Sequence, residues 1–175
     1  METFNKVRVS AIAQTRRNEM VSMELFQKHY REIVRFDGLL GMKLQVHAPG
    51  KITYTLQIRE DHLTAPDQCH GGVISAMMDS VLGLTALSLA VSQGNLCSTV
   101  EFKMNYISVA RPGDIIEGTA EVDYSGSKLI TTSGSIKDIT SGRLIAKGMG
   151  TFMQYPISKK MEALKSASRL AEEEE

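Results

Sequence analysis

From Gly71 to Val91 the chain runs Gly-Gly-Val-Ile-Ser-Ala-Met-Met-Asp-Ser-Val-Leu-Gly-Leu-Thr-Ala-Leu-Ser-Leu-Ala-Val, and its only formal charge is Asp79. No other formally charged residue occurs between Asp67 and Glu101. A helix of that length is about 30 Å long, and one that is apolar nearly all round must be covered nearly all round. The stretch approaches the length of a membrane span. Yet three serines, a threonine, three glycines and the aspartate interrupt it, no basic residues flank it, and strand-like segments lie on both sides. It reads as the buried core helix of a protein with no membrane partner. A carboxylate in such a place is expensive to desolvate unless something compensates it. Stability alone favours Ala or Leu there, so Asp79 is the first candidate for chemistry.

The covering has to come from the rest of the chain, which is mostly β. Met42–Ala48 and Lys51–Ile58 alternate, with Pro49-Gly50 as the turn between them, and Glu60 to Gln68 reads as a polar loop. Beyond Gln93-Gly94-Asn95, strands are predicted near Ser98–Ser108, Asp114–Tyr124, Lys128–Asp138 and Arg143–Met153. Their separators (Arg111-Pro112-Gly113, Ser125-Gly126, Thr140-Ser141-Gly142) are short enough to imply antiparallel neighbours. Gly148 and Gly150 predict a sharp bend in the last strand, or a close approach to its backbone. The pattern calls for an α+β domain in which a bent antiparallel sheet of about six strands wraps around one long apolar helix.

Helical segments flank this domain. Val7 to Phe36 holds neither Pro nor Gly, and Met20, Met23, Phe26, Gln27, Tyr30, Ile33 and Val34 form a stripe at helical spacing that Asp37-Gly38 is expected to stop. Arg8, Arg16, Arg17, Lys28, Arg31 and Arg35 along it read as a solvated face. The tail from Ser158 is helix-like and ends in four glutamates. The expected division is 1–38 for the N-terminal helical segment, 39–157 for the domain and 158–175 for the tail. With 20 Lys and Arg against 20 Asp and Glu, there is no basic field for nucleic acid. Two cysteines and the lack of a signal-like N-terminus fit a cytoplasmic protein without a disulfide framework.

The faces of the central helix carry further information. At 100° per residue, Asp79 shares its side with Gly72, Ser75, Ala76, Leu82, Gly83, Ala86 and Ala90, all small except Leu82. Met77, Val81, Leu84 and Ile74 lie opposite. Small neighbours leave either a slot for substrate, which would touch Gly72, Ser75 and Gly83, or a path for close packing of a strand or helix. At the helix start, His70-Gly71-Gly72 leaves amide N–H groups without intrahelical partners, suited to a carbonyl oxygen gaining negative charge. The alternative is that His70 only caps the helix while the glycines pack. Gly71 and Asp79 are about 12 Å apart along one helix axis, whereas a reacting carbonyl must lie about 3 Å from both its donors and its attacker. If the two cooperate they belong to different subunits, which predicts a two-fold homodimer with sites at its interface.

The run Cys69-His-Gly-Gly-Val-Ile-Ser-Ala-Met-Met-Asp79-Ser-Val-Leu-Gly83 resembles the hotdog-fold acyl-CoA thioesterases of the PaaI type, whose signature is His-Gly-Gly followed by an aspartate at this spacing. The likeness continues through Thr99–Asp114 and Gly142–Phe152 and covers roughly residues 39 to 155. It implies a hotdog fold and hydrolysis of an acyl-CoA thioester to a carboxylic acid and free CoA, in a dimer or dimer of dimers. It also implies roles: Gly71 N–H, with His70 supporting its loop, polarises the carbonyl. Asp79 of the other subunit acts as general base or as nucleophile through an anhydride, and Thr99 holds Asp79 or the water.

Many relatives carry an asparagine six residues before the histidine; here that residue is Thr64, whose hydroxyl reaches less far than an amide, so His62 or a water is called on to complete the oxyanion site. Arg111 and Lys128, at hairpin ends, are the candidate CoA contacts. No cofactor is implied beyond the CoA of the substrate, and no metal: His62, Asp67, Cys69 and His70 lack a familiar ligand spacing. The reading from a different class is a non-catalytic acyl-CoA-binding hotdog module, a sensor or assembly partner, motivated by Thr64 and the terminal helices.

Overall fold

The computed structural model describes residues 23–158. In chain order these form α1 (the helical residues 23–33), α2 (Arg35–Leu40), β1 (Lys43–Ala48), β2 (Lys51–Gln57), a 3-10 turn (Glu60–His62), β3 (Leu63–Ala65) and β4 (Gln68–Cys69). Then follow α3 (Gly71–Ser92), β5 (Asn95–Tyr106), β6 (Ile115–Ser125), β7 (Leu129–Asp138) and β8 (Leu144–Pro156). Of the expected terminal helices, residues 1–22 and 159–175 lie outside the described part.

Six strands make one sheet in the order β1-β2-β6-β7-β8-β5, every pair antiparallel. It curls around α3, the one helix among the described residues with the length and composition of a membrane span. Met77, Met78, Val81, Leu82 and Ala86 are fully covered and pack in one core with Tyr54, Ile116, Ile130, Ile136 and Phe152. Of the most apolar window of α3, 56% is buried inside the fold.

Small residues in register let the sheet close on the helix. Ala120, Gly134 and Gly148 sit side by side across β6, β7 and β8. A Cβ on Gly134 would lie 2.6 Å from the Thr119 carbonyl oxygen, and one on Gly148 would lie 2.8 Å from Met78 Sδ. Of the two readings of Gly148 and Gly150, the structure supports a close approach, by Met78 at Gly148 and by the Phe152 ring at Gly150.

The two sheet edges differ. At β1, α1 lies against the strand: Gln27 Oε1 accepts from the Val46 N–H at 2.7 Å and Arg31 donates to the Leu44 carbonyl. Two residues one helical turn apart thereby satisfy edge groups that would otherwise invite another strand. At β5 the outer edge has no partner among the described residues, and Ser98, Thr99 and Val100 are exposed.

Two local expectations are corrected. Asp37-Gly38 does not stop the first helix: it breaks at Val34 and resumes as α2, which ends at Gly41. Gly41 takes the left-handed conformation at φ 77°, its N–H reaching the Asp37 and Gly38 carbonyls. Ile33, at the end of α1, is 77% exposed and so leaves the expected apolar stripe. The segment Glu60–Gln68 is not an open loop. It holds the 3-10 turn and a small β3–β4 hairpin, tied down by His70 N–H to the His62 carbonyl at 2.8 Å and Cys69 N–H to the Ala110 carbonyl at 2.9 Å.

Candidate active site

Asp79 sits in the third turn of α3, its side chain neither covered by the sheet nor free in solvent. The Thr99 hydroxyl donates to its Oδ1 at 3.3 Å. That contact depends on a bulge in β5. Register shifts between Thr99 and Glu101, so Cys97 and Thr99 point toward α3, and beyond the bulge Phe102 and Met104 do. One extra residue, Val100, lets a single strand supply both the aspartate's partner and core side chains.

Around Asp79 lies a cavity of about 280 Å³ lined by Tyr30, Phe36, Asp37, Gly83, Cys97 and Phe152, with Thr99 at its mouth. Its lining mixes apolar side chains such as Leu84, Leu87 and Phe152 with carboxylates and hydroxyls in about equal measure. Burial pushes the Asp79 carboxyl above the usual carboxylate range, the Thr99 hydrogen bond opposes this, and the negative charge of Asp37 adds to it. A carboxyl with raised proton affinity is suited to accept a proton from water. Desolvation holds the Cys97 thiol at about 11, so it lines the cavity as a neutral group.

The helix start is built separately. His70 is the N-cap, and its Nδ1 accepts from the Gly72 N–H at 2.8 Å, which fixes the ring and explains Gly72: a Cβ there would lie 2.8 Å from the same nitrogen. Val73 N–H reaches the His70 carbonyl at 3.0 Å. Among the described residues the Gly71 N–H has no hydrogen-bond acceptor. Over it stands Tyr106, whose hydroxyl donates to the Gly71 carbonyl at 3.2 Å and shares a hydrogen bond with Ser75. A second cavity, about 290 Å³, opens here between Cys69, Gly71, Ile74, Tyr106 and Val109. The Asp79 cavity does not contain Gly71, and this one does not contain Asp79.

The expected site residues therefore divide into groups. Asp79, Thr99 and Gly83 share one cavity; Gly71 shares the other with Tyr106, which ties in Ser75, while His70 and Gly72 make the cap beside it. Of the small residues on that face, Ala86 and Ala90 are fully buried and close the slot beyond Gly83; there Leu84 and Leu87 line the Asp79 cavity instead. Thr64 is exposed on β3, without a side-chain hydrogen bond among the described residues. His62 does not complete the oxyanion site within the chain. Its ring is 3% exposed, and Nδ1 accepts from the Arg59 N–H at 3.2 Å. Arg111 and Lys128 are exposed, at the turn before β6 and at the β6–β7 turn, and neither lines the two cavities. Cys69 is buried and its thiol is pushed up to about 11 by desolvation, the opposite of an activated nucleophile. Among the described residues no three His, Cys, Asp or Glu side chains converge as metal ligands.

Asp37 and Tyr106 escaped sequence reasoning. Asp37 followed by glycine reads as a stop signal, and only the Tyr30–Asp37 spacing, two helical turns, hinted at a partner. Tyr106 alternates within a strand like any other surface residue.

The thioesterase superfamily model matches residues 68–145, which holds α3, Asp79, Thr99 and the whole lining of the Gly71 cavity. Human acyl-coenzyme A thioesterase 13 is 32% identical over 117 residues, covering 66% of this chain and 82% of that protein. Among solved structures, zebrafish thioesterase superfamily member 2 superposes with a TM-score of 0.65 at 24% identity, over 73% of this chain and 94% of that one. The E. coli PaaI protein of the phenylacetic acid degradation operon superposes with a TM-score of 0.66 at 18% identity, over 75% and 92%.

Proposed function

The chain belongs to the thioesterase superfamily as a hotdog-fold thioester hydrolase, and from that premise we propose that it cleaves acyl-CoA at a site shared by two copies. Human acyl-coenzyme A thioesterase 13, by its name, acts on acyl-CoA, and the proposal takes the same substrate class here. The observation that carries the reading is the separation of the two cavities. A base with raised proton affinity lies in one cavity and, in the other, an amide N–H without an acceptor among the described residues, about 12 Å apart on one rigid helix.

A two-fold pairing that brings the α3 helices of two copies together antiparallel sets Asp79 of one beside Gly71 of the other. The exposed outer edge of β5, which has no strand partner among the described residues, and the open face of α3 supply the surface for it. Gly71 N–H then polarises the thioester carbonyl. Asp79 accepts a proton as water attacks the carbonyl carbon; the C–S bond breaks on collapse, and the CoA thiolate leaves and takes up that proton. Thr99 orients the carboxylate and Tyr106 braces the Gly71 turn. Thr64, Arg111 and Lys128 remain candidates for completing the site once the second copy is present. The reading includes a dimer of dimers in a reducing cytoplasm, where the two free cysteines would stay thiols.

The test is release of free thiol from short, long and aromatic acyl-CoAs. The protein should turn over at least one class, and Asp79→Asn should lose about 10³-fold in kcat while still binding it. Turnover near wild type in that variant would exclude Asp79 as the base; acyl-CoA binding without thiol release in the unaltered protein would favour the sensor reading.

A further inference from the structure

Asp37 is a carboxylate that the hydrolysis above does not use, yet it is 7% exposed. Three hydroxyls converge on it. Tyr54, itself fully buried, and Tyr30, at 3.3 Å, donate to Oδ2, and Ser80, at 3.3 Å, donates to Oδ1. They come from β2, α1 and α3, so Asp37 is fixed from three directions by groups acting as donors, the arrangement of an acceptor-only carboxylate. Burying it this way costs more than an apolar residue would. Ser80 is the residue after Asp79, and Asp37, Tyr30, Ser80 and Asp79 all line the same cavity.

No cation compensates either carboxylate: among the described residues, no salt bridge reaches Asp37 or Asp79. The groups facing the pair are Tyr30 from α1, Tyr54 from β2 and Cys97 from β5. Tyr30 is pushed up to about 12 and Tyr54 higher, chiefly by burial, and Cys97 to about 11. All three stay neutral near neutral pH. Arg31 and Lys43 line a third cavity, one that includes Asp37 and Tyr54 but not Asp79, and Arg31 is engaged with the Leu44 carbonyl. A negative charge is thus held in the wall of the Asp79 cavity with nothing of opposite sign paired to it there.

Resting on the proposed hydrolysis, we propose that Asp37 is a positioning residue for it: its carboxylate, pinned by Tyr54, Tyr30 and Ser80, is a fixed negative charge that strengthens Asp79 as the acceptor of the water proton. It acts through Asp79 and does not touch substrate. Beside the larger effect of burial, the Asp37 charge raises the proton affinity of the Asp79 carboxyl. The N-terminal segment thereby contributes to the chemistry as well as to the β1 edge.

The experiment is the pH profile of kcat/KM for the full chain and Asp37→Asn, whose amide oxygen still accepts the tyrosine protons. Without the charge Asp79 is a weaker base, so the acid limb moves to lower pH and the plateau falls about threefold. Asp37→Ser gives the same reading should the amide variant fail to fold. Tyr54→Phe loosens the same cluster but keeps the charge; it should lower Tm without moving the limb to lower pH. An unmoved limb in Asp37→Asn, or an equal downward shift in Tyr54→Phe, overturns the proposal while leaving the hydrolysis reading intact. Activity surviving in Asp79→Asn defeats both.

Discussion

Along one side of α3, Met77, Met78 and Val81 are fully covered and meet a sheet made thin by Gly118, Gly134 and Gly148. Along the other, Ser75, Asp79, Ser80, Gly83 and Leu87 are only half-covered and border hydroxyls and two cavities. Glycine serves both sides for different reasons. Under the covered side it allows contact: a Cβ on Gly118 would fall 2.5 Å from Val81 Cγ2. On the open side Gly83 keeps space, since a Cβ would meet only the rim of the Phe152 ring, at 3.3 Å, beside the Asp79 cavity. The covered side is specified by volume, the open side by what is left unfilled.

The strongest way to break this comparison is to ask whether the open side needs a second copy. Gly71→Pro removes one N–H and little else. Gly71 is the first residue of α3, where proline is tolerated, His70 before it has φ −62° and ψ 132°, and a Cβ would approach Tyr106 no closer than 3.5 Å. The variant should fold and lose about 10²-fold in kcat. Coexpressed in equal amount with Asp79→Asn, it should recover about a quarter of wild-type activity, because half the dimers are mixed and each keeps one intact site. No recovery in demonstrably mixed dimers would put Asp79 and Gly71 to work within one chain, or not together at all.

The same substitution on the two sides gives the next contrast. Gly134→Ala forces a methyl to 2.6 Å from a backbone oxygen that cannot yield, and should cost about 2–3 kcal/mol in denaturant unfolding. Gly83→Ala gains helix propensity while crowding one ring edge, so its stability should change by less than about 1 kcal/mol. Its effect should appear in kcat/KM for bulky acyl groups. Equal destabilisation by both would remove the distinction between the sides.

How much of this was legible beforehand follows the same division. Periodicity, turn glycines and the apolar run located the core helix, all six sheet strands and their antiparallel sense, because burial on a period of 2 or 3.6 leaves its mark in sequence. Asp79 was legible as a charge out of place, and the 12 Å argument for a second copy needed only helix geometry. The β5 bulge was not legible, since one extra residue in a strand changes no composition, only which later side chains face inward. Nor was Asp37: its partners come from Tyr30, Tyr54 and Ser80, and only the fold brings residues 37, 54 and 80 together. The His62–His70 link was hidden for the same reason, in a segment whose polarity reads as loop.

Two smaller effects sharpen the open side further. Thr99→Val removes the hydroxyl that favours the charged form of Asp79, so kcat should fall about tenfold and the acid limb should move to higher pH, opposite to Asp37→Asn. The last concerns stability. Asp79 is raised above its ordinary range in the folded chain, so through that range the native state binds more protons than the unfolded one. Stability therefore rises as pH falls toward acid from above the folded value, and the cost of the charged carboxylate is fully present at neutral pH. Asp79→Asn removes that cost and can keep the Thr99 contact. With the group half-exposed and solvent-screened, its Tm should exceed wild type by roughly 1–3 °C at neutral pH, the gap closing as wild-type Asp79 protonates. A Tm that falls at neutral pH would mean that Asp79 stabilises the monomer's open face, and the carboxylate would then need no catalytic reason to be there.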